Sequence, residues 1–306
     1  TFMSLAAQDK NIVTSKHLFG NTYALLVASL RRFGVKVRLR DLTNIEEVRE
    51  AIDDDTCCVF LEILTNPQLE VADLKAISEV AHEKNVPLVV DSTVIPFTQF
   101  SAKSLGVDIE VVSSSKYVSG GATSLGGLVI DYGTPYNGDF AKRLYGEMLF
   151  NFGAYMTPQV AYMQTIGLET LDARYRVQSS NALELAQKLR TLPQIQYVNY
   201  VGLEDNPYHG LAQRQFGKTA GAMICIDLES KEACFSFLNN LKLIHRATNL
   251  FDNRSLAIHP ASTIFGAFSE SMRKSMDVKD TTIRLSVGLE DVDDLFEDIK
   301  QAVGSL

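Results

Sequence analysis

The chain has 306 residues, of which 46% are hydrophobic, and a formal net charge of −8 at pH 7. This apolar fraction suits a globular protein with a substantial core, while the negative charge speaks against a nucleic-acid partner. No apolar run reaches the roughly 18 residues of a membrane span, so we expect no membrane partner and a cytoplasmic location. The one basic cluster, "RRFGVKVRLR" at 31–40, alternates with Val and Leu and is interpreted as an exposed strand face.

Residues 35–130 alternate between strand and helix patterns. The strands are "VKVRL", "CCVFLEIL", "VPLVVD", "IEVVSSS" and "GGLVID", and the first helix is "NIEEVREAIDDD". A second helix carries apolar residues at helical spacing, namely Val71, Leu74, Ile77, Val80 and Ala81, and a short third helix lies around Ala102. Strands of Val, Ile and Leu without polar alternation are typical of a mainly parallel sheet that is buried on both faces. The sequence therefore predicts an α/β domain over residues 1–166.

The pattern changes after about Gly167. A long helix, "LDARYRVQSSNALELAQKLRT", is followed by the strands "IQYVNYV", "GAMICIDLE" and "TIRLSVGLE". The last helix has an apolar stripe of Val292, Leu295, Phe296, Ile299 and Val303, with Asp291 as its predicted N-cap. We predict a smaller α+β domain over residues 167–306 that packs with the first as one body, because no flexible linker separates them.

The four cysteines have no metal-binding or disulfide pattern. Cys57 and Cys58 are adjacent, and Cys225 and Cys234 lie far away without CxxC or Cys/His spacing. We interpret all four as reduced residues that pack in the interior.

Three groups of polar residues follow predicted strands, at the edge where ligands bind in parallel sheets. They are Asn66, then Asp91 with Thr93, and then Ser113, Ser115 and Lys116. Taken singly, an aspartate after a strand is more often a cap or turn former, a serine run is a polar turn, and a lysine is solvated. Together, a carboxylate, hydroxyls and an amine suit pyridoxal phosphate, because they can pair the pyridine nitrogen, bind the phosphate and form the Schiff base. A nucleotide-binding alternative is weak, since "GGATSLGG" lacks the GK[ST] ending of a P-loop.

Three long segments of the sequence resemble one enzyme family. They are "NPQLEVADLKAISEVAHEKNVPLVVDSTVIPF", "VVSSSKYVSGGATSLGGLVID" and "SLAIHPAST" with "TIRLSVGLEDVDDLF". Together they resemble the Cys/Met-metabolism family of pyridoxal-phosphate enzymes, which comprises homoserine-ester sulfhydrylases, cystathionine synthases and lyases, and methionine γ-lyases. The resemblance covers essentially the whole chain. It implies the aspartate-aminotransferase-like fold, pyridoxal 5'-phosphate as cofactor, and a homo-oligomer, a dimer or homotetramer, with shared active sites.

The resemblance assigns the cofactor-binding residues position by position. Lys116 matches the lysine that bonds the cofactor's aldehyde and later moves protons between substrate carbons. Asp91 matches the partner of the pyridinium nitrogen, whose protonated form a neighbouring anion favours. Ser113 and Ser115 match the hydroxyls that bind the phosphate.

Further positions match residues that lie against the cofactor ring. Thr93 and Asn66 are two of them, and Phe19 occupies the position of a stacking residue that is Tyr in most members. Phe can stack on the ring but cannot act as an acid or base. Asn21 stands where methionine lyases typically have Cys, which counts against lyase activity.

The substrate-binding residues lie near the C-terminus. Arg284 matches the residue that binds the substrate α-carboxylate, and Asn249 matches a second carboxylate-binding position. The strand alternation independently separates Arg284, with Thr282 and Ser286, from the apolar face of Ile283, Leu285, Val287 and Leu289. A planar guanidinium there can form a bidentate pair with a carboxylate. Ile264 replaces a usual polar residue, and His259 is interpreted as a structural turn residue.

The resemblance implies γ-replacement on an O-acylated homoserine, most simply O-acetylhomoserine with sulfide or a thiol, giving homocysteine or methionine. This preference rests on Asn249 and Asn21. The alternatives are cystathionine γ-synthase, O-succinylhomoserine sulfhydrylase and γ-lyase chemistry. A degenerate, non-catalytic subunit is an alternative of another class, suggested by Phe19 and because the N-terminal arm and phosphate-binding glycine loop of the family would precede the printed sequence.

Overall fold

The computed structural model describes residues 1–305, and its first half is built around a six-stranded sheet. Along the chain the strands are β1 Asn11–Ser15, β2 Lys36–Arg40, β3 Thr56–Glu62, β4 Leu88–Asp91, β5 Ile109–Val112 and β6 Leu128–Asp131. Their spatial order is β2-β1-β3-β4-β5-β6. The first five strands pair in parallel, and β6 pairs with β5 in the antiparallel direction at one edge. The sheet is therefore mainly parallel, as predicted.

The apolar patterns predicted the helices at residues 45–51 and 74–83, and further helices lie before, between and after these strands. The helices are α1 Phe2–Leu5, α2 Gly20–Ala24, α3 Ile45–Ala51, α4 Leu74–Glu83, α5 Phe140–Arg143 and α6 Phe150–Phe152. Helical turns Leu25–Ser29 and Leu30–Phe33 extend α2, and shorter turns lie at Ala102–Leu105, Tyr117–Ser119 and Pro135–Asn137. The side chain of Asp73 caps α4 by accepting from the N–H of Ala76 at 3.1 Å. Val71 was predicted inside this helix, but it lies before the cap and is buried there.

Two short segments depart from the predicted pattern. Strand β1 was not predicted, because its sequence "NIVTS" is rich in polar residues, yet all five residues are buried between β2 and β3. The basic cluster divides into two parts: Lys36–Arg40 forms the edge strand β2, whereas Arg31 and Arg32 lie in a helical turn. The interpretation as an exposed strand is therefore correct only for the second part of the cluster.

The second half contains a five-stranded sheet. Its strands are β7 Tyr197–Asn199, β8 Met223–Asp227, β9 His245–Arg246, β10 Leu256–Ile258 and β11 Thr282–Ser286, in the spatial order β7-β8-β11-β10-β9. The helices are α7 Pro158–Glu169, α8 Leu171–Leu189, α9 His209–Phe216, α10 Lys231–Asn240, α11 Glu270–Ser275 and α12 Val292–Val303. Asp291 caps α12 by accepting from the N–H of Asp293 at 2.8 Å, as predicted.

One apolar cluster joins the two sheets into a single packed body. It contains Leu61 and Val90 from the first sheet together with Ile224 and Leu285 from the second. Helix α7 spans the predicted boundary at residues 166 and 167, so the division into domains stays a prediction.

The four cysteines are free in the part of the chain that the structure describes, and Cys58, Cys225 and Cys234 are buried. Among residues 1–305, no helix is long and apolar enough to cross a bilayer.

Candidate active site

Polar residues at the ends of β3, β4 and β5 form a connected row along one edge of the first sheet. The register pairs Glu62, the last residue of β3, with Asp91, the last residue of β4. The N–H of Thr93 donates to Oδ1 of Asp91 at 2.8 Å, and the N–H of Ser113 donates to Oγ1 of Thr93 at 2.8 Å. The structure therefore brings together three of the residues predicted from the strand ends, Asp91, Thr93 and Ser113.

Asp91 is half-buried and has no cationic partner. Desolvation raises the pKa of this carboxyl and the charge of Glu110 adds to the rise, while the hydrogen bonds from Thr93 oppose it. Within residues 1–305, no lysine, arginine or histidine nitrogen lies within 4.0 Å of the Asp91 carboxyl. Removing a carboxylate from water without a counter-ion is costly, so this position suits a ligand that carries a positive charge.

Glu62 is a second buried carboxyl at this edge, and the sequence reasoning missed it. Its Oε1 accepts from the N–H of Phe19 at 2.6 Å, and burial together with the charge of Asp91 raises the pKa of Glu62 to about 8. This bond fixes the main chain of Phe19, the half-exposed N-cap of α2. A single carboxylate inside the apolar run "CCVFLEIL" was the signal that could have found it.

Lys116 lies in the turn that follows β5, and its amine is held by an amide. Nζ of Lys116 donates to Oδ1 of Asn249. Desolvation lowers the pKa of the Lys116 amine, and the nearby charge of Arg284 lowers it further. No carboxylate lies within 4.0 Å of this amine in the described part of the chain. Both effects favour the neutral amine, which is the form that acts as a nucleophile or base.

Aromatic and backbone packing fix the turn that carries Lys116. Tyr117 stacks on Phe251 with ring centroids 4.3 Å apart and an interplanar angle of 14°. This contact brings the segment around Asn249 to the Lys116 amine. A Cβ atom added at Gly167 in α7 would lie 2.1 Å from the carbonyl oxygen of Val118, so only glycine allows the helix to approach this turn so closely.

Arg284 lies in the middle of β11 and is only 1% exposed. Nη1 donates to Oδ1 of Asn66 at 3.2 Å, and Nη2 donates to the carbonyl oxygens of Thr248 at 3.2 Å and Asn249 at 3.0 Å. Nε is buried without a hydrogen-bond partner, and no carboxylate lies within 4.0 Å of the guanidinium among the residues described. Burial lowers the pKa of Arg284 to about 10. The site therefore holds a buried cation that only neutral oxygens satisfy.

The two predicted phosphate-binding serines differ in their surroundings. The hydroxyl of Ser115 accepts from the N–H of Gly126 at 2.9 Å and donates to its carbonyl oxygen at 3.2 Å, so it stabilises the loop. The hydroxyl of Ser113 has no hydrogen-bond partner within the described chain and is half-buried. His259 lies outside this site: its ring nitrogens contact Ser262 Oγ and the Asp280 carbonyl, each at 2.8 Å, which suits the structural interpretation.

These groups fit pyridoxal phosphate. The Asp91 carboxyl lacks a cation and the pyridinium nitrogen supplies one, while the Lys116 amine is free of carboxylates and can react with the aldehyde. The Ser113 hydroxyl is available to an anionic group. The site therefore has a partner for the ring nitrogen and an amine for the aldehyde, and it supplies one hydroxyl for the phosphate.

Comparison with known proteins identifies relatives of this chain. The family model described as "Cys/Met metabolism PLP-dependent enzyme" matches residues 1–304. L-methionine gamma-lyase of Fusobacterium nucleatum subsp. polymorphum is 37% identical over 307 residues, which cover 99% of this chain and 76% of that protein. Among solved structures, O-acetylhomoserine sulfhydrylase of Wolinella succinogenes is 41% identical, with a TM-score of 0.87 and coverage of 99% of this chain and 87% of that one.

A solved structure from Campylobacter jejuni subsp. jejuni is the third likeness. It is 32% identical with a TM-score of 0.95, covers 99% of this chain and 79% of that one, and contains N'-pyridoxyl-lysine-5'-monophosphate. That group is a lysine bonded to the cofactor. These likenesses confirm the fold class and the cofactor that the sequence predicts.

Proposed function

Because the chain belongs to the Cys/Met-metabolism family of pyridoxal-phosphate-dependent enzymes, we propose that it catalyses γ-replacement on an O-acylated homoserine, preferably O-acetylhomoserine. Sulfide or a small thiol takes the place of the ester, which gives homocysteine or methionine. The observation that carries the proposal is the hydrogen-bonded series from Lys116 through Asn249 to Arg284. It places a reactive amine beside a guanidinium that can hold an amino acid by its carboxylate.

The first sheet supplies the residues that hold the cofactor. Lys116 would bond its aldehyde, Asp91 would pair with its ring nitrogen, Ser113 would bind its phosphate, and Phe19 would pack on the ring. The bound cofactor supplies an electron sink that allows a proton to leave the substrate's α carbon. Glu62 keeps Phe19 in place through the main-chain bond of 2.6 Å.

Lys116 is the group that moves protons in this proposal. Burial and the charge of Arg284 lower the pKa of this amine and so favour its neutral form, and Asn249 orients the amine by accepting one of its hydrogens. Phe19 has no ionisable proton, so the proton that the leaving group needs also comes from Lys116.

Arg284 binds and orients the substrate. Its guanidinium is already removed from water and held by the oxygens of Asn66, Thr248 and Asn249. An incoming carboxylate therefore meets a fixed cation, and the Nε–H is free to donate.

The preference for O-acetylhomoserine is supported by the Wolinella succinogenes relative and by Asn21 and Asn249. The second candidate is γ-elimination, which the Fusobacterium nucleatum methionine gamma-lyase favours as a relative of 37% identity. In elimination no thiol enters, so the two candidates differ in whether product formation requires sulfide.

We also propose a cytoplasmic homo-oligomer. The segment from α5 to α7 exposes a series of large aromatic side chains, Tyr145, Phe150, Phe152, Tyr155 and Tyr162. An apolar surface of this kind is typical of a protein–protein interface. Free thiols in all four cysteines support a reducing compartment.

The test is an assay of the purified protein with added pyridoxal phosphate. O-acetylhomoserine with sulfide should give homocysteine, with kcat/KM at least about tenfold above that for O-succinylhomoserine, a difference of about 1.4 kcal/mol. Methionine without sulfide should release little 2-oxo acid. A higher rate from methionine alone would instead establish γ-elimination, and no turnover of either ester would refute the proposal. Lys116→Ala is the control for cofactor-dependent turnover.

A further inference from the structure

The loop between β1 and α2, residues 16–20, contacts segments from both halves of the molecule. On the side of the first sheet, Glu62 accepts from the N–H of Phe19. On the other side, a Cβ atom added at Gly20 would lie 2.5 Å from the carbonyl oxygen of Ile264, so the two backbones touch and only glycine fits. The loop that carries Phe19 therefore lies between the first sheet and the C-terminal segments.

His17 is the ionisable residue at the centre of this contact, and its side chain is only 2% exposed. Nδ1 lies 2.5 Å from Oε2 of Glu70, which follows β3, and Nε2 lies 2.8 Å from Oδ2 of Asp277, which follows α11. Lys16 Nζ lies 3.0 Å from the same Asp277 oxygen. His17 thus joins two carboxylates from distant parts of the chain. His17 and Asp277 are 260 positions apart in the sequence.

A further hydrogen bond supports this contact. Nε2 of Gln68 donates to the carbonyl oxygen of Met276 at 2.6 Å, beside the His17 bridge. The segments around Glu70 and Asp277 are thus held together by one neutral and two ionic contacts. Because Asp277 lies between α11 and β11, its position is coupled to the strand that carries Arg284.

We propose that His17 is a positioning residue, which as a cation between Glu70 and Asp277 holds the Phe19 loop in register with the strand that carries Arg284. Only the cation can donate from both ring nitrogens, because a neutral imidazole has a single N–H. Loss of the proton therefore leaves one carboxylate without its partner and releases one side of the bridge. The consequence for the cofactor ring rests on the proposed function, whereas the bridge itself does not.

The charges that face His17 come from four segments. Glu70 and Asp277 contact it directly, Asp41 lies close by after β2, and Lys16 precedes it in the chain. Burial opposes the charge of His17, but the hydrogen bonds of Glu70 and Asp277 outweigh it, so the pKa of His17 is raised. A raised pKa means that the bridge is complete below the ordinary histidine value near 6.5 and is lost as the pH rises through the raised value.

A single tryptophan can report on the loop directly, because the chain contains none. Glu62 binds the Phe19 N–H and has a pKa of about 8, so it would titrate beside the probe in the same pH range. We would therefore introduce Phe19→Trp together with Glu62→Gln into the full chain and record its emission maximum and acrylamide quenching from about pH 6 to about pH 9, without cofactor. The expected result is one transition above pH 6.5, with greater quenching on the alkaline side. Emission that does not change with pH would overturn the proposal.

Two further variants in the background of Phe19→Trp with Glu62→Gln decide the cause of the transition. Asp277→Asn should lower its midpoint by about one pH unit, because one of the two anions beside His17 is lost. Glu270→Gln is the matched control: it makes the same chemical change on α11 but removes only an exposed pair with Lys274, so the midpoint should not move. Equal midpoints in the two variants would overturn the proposal.

His17→Gln completes the test and should abolish the transition. A transition that survives this substitution would show that another group titrates. If the buried substitution prevents folding, Asp277→Asn still decides, because the Asp277 carboxylate is 58% exposed and its replacement leaves the core intact. Neither cofactor nor turnover enters the measurement, so its failure is distinguishable from a failure of the proposed function.

Discussion

The edge of the first sheet and the centre of the second sheet hold opposite charges, and each lacks a counter-ion. At the edge, the Asp91 carboxyl has no cationic partner among the described residues, while burial raises the pKa of the neighbouring Glu62 to about 8 and so favours its neutral form near pH 7. In the second sheet, Arg284 is buried among neutral oxygens, with a lowered pKa. Each region therefore has a charge that one ligand could pair: a cationic ring for Asp91, and an anionic substrate for the guanidinium of Arg284.

Neutral amides keep these opposite charges from neutralising each other. Asn66 follows β3 and offers its oxygen to Arg284, while Asn249 offers one oxygen to Lys116 and another to Arg284. An aspartate at either position would form a salt bridge with Arg284 or Lys116. It would then neutralise the positive charge that the ligand is to pair with. The site is thus prepared for its ligands by leaving charges unpaired. The following variants test each of the two regions.

The largest effect should come from Lys116, which lies between the two regions. Lys116→Ala removes the amine that bonds the cofactor and moves protons, so we expect turnover to fall at least about a thousandfold. Lys116→Arg is the matched control, because it keeps a cation but cannot form the bond to the aldehyde. Steady-state assays check both, and a variant that retained most of its rate would refute the proposed role of the lysine.

Arg284→Lys tests the second region alone. Lysine keeps the positive charge but cannot form the bidentate pair, so we expect kcat/KM to fall about a hundredfold, or roughly 2.7 kcal/mol, chiefly through KM. The affinity for pyridoxal phosphate should not change. A large loss of cofactor affinity in this variant would show that the two regions do not act independently.

Asp91→Asn is the reciprocal test in the first region. The amide cannot stabilise a protonated ring nitrogen, so we expect the Kd of pyridoxal phosphate to rise about thirtyfold, or roughly 2 kcal/mol. Absorbance titration of the purified protein measures this change. An unchanged Kd would mean that the Asp91 carboxyl does not face the ring.

Glu62→Gln should have the smallest effect on turnover, and its main consequence is a change in how stability depends on pH. The folded protein holds a proton on Glu62 up to a pKa of about 8, whereas an unfolded glutamate loses it near 4.3. Between these values the folded state binds more protons, so Glu62 makes stability fall as pH rises, by up to about 1.4 kcal/mol per pH unit.

Glutamine removes that dependence while keeping an oxygen for the Phe19 N–H. Urea denaturation of the cofactor-free protein should therefore show the variant gaining stability over the native chain from about pH 5 to about pH 8. Glu79→Gln, at an exposed position of α4, is the control and should give a constant difference. A constant difference for Glu62→Gln as well would show that this carboxyl is ionised throughout.

Local patterns made much of the fold and part of the site predictable. Asp91 ends an apolar strand and Thr93 and Lys116 lie shortly after such strands, and the alternation of β11 separates Arg284 from Ile283 and Leu285. The bare strand patterns indicate where such groups meet, because parallel strands end at a common edge.

Contacts between distant segments were not predictable from the same patterns. The bond from Lys116 to Asn249 depends on Tyr117 stacking on Phe251, which joins residues more than a hundred positions apart. Strand β1 was missed because its polar residues are buried, and Glu62 was missed because it lies inside an apolar run. Packing between distant segments determines each of these features, and the periodicity of the sequence does not reveal that packing.

The most direct test of the account is borohydride reduction of the protein with added pyridoxal phosphate, followed by peptide mapping. The bond between the cofactor and a lysine absorbs visible light, and reduction makes it permanent. The account predicts a visible band that disappears on reduction, with the label on the peptide that contains Lys116. A label on another lysine, or no band from the folded chain, would contradict the claim that the charges around Lys116 are arranged for this cofactor.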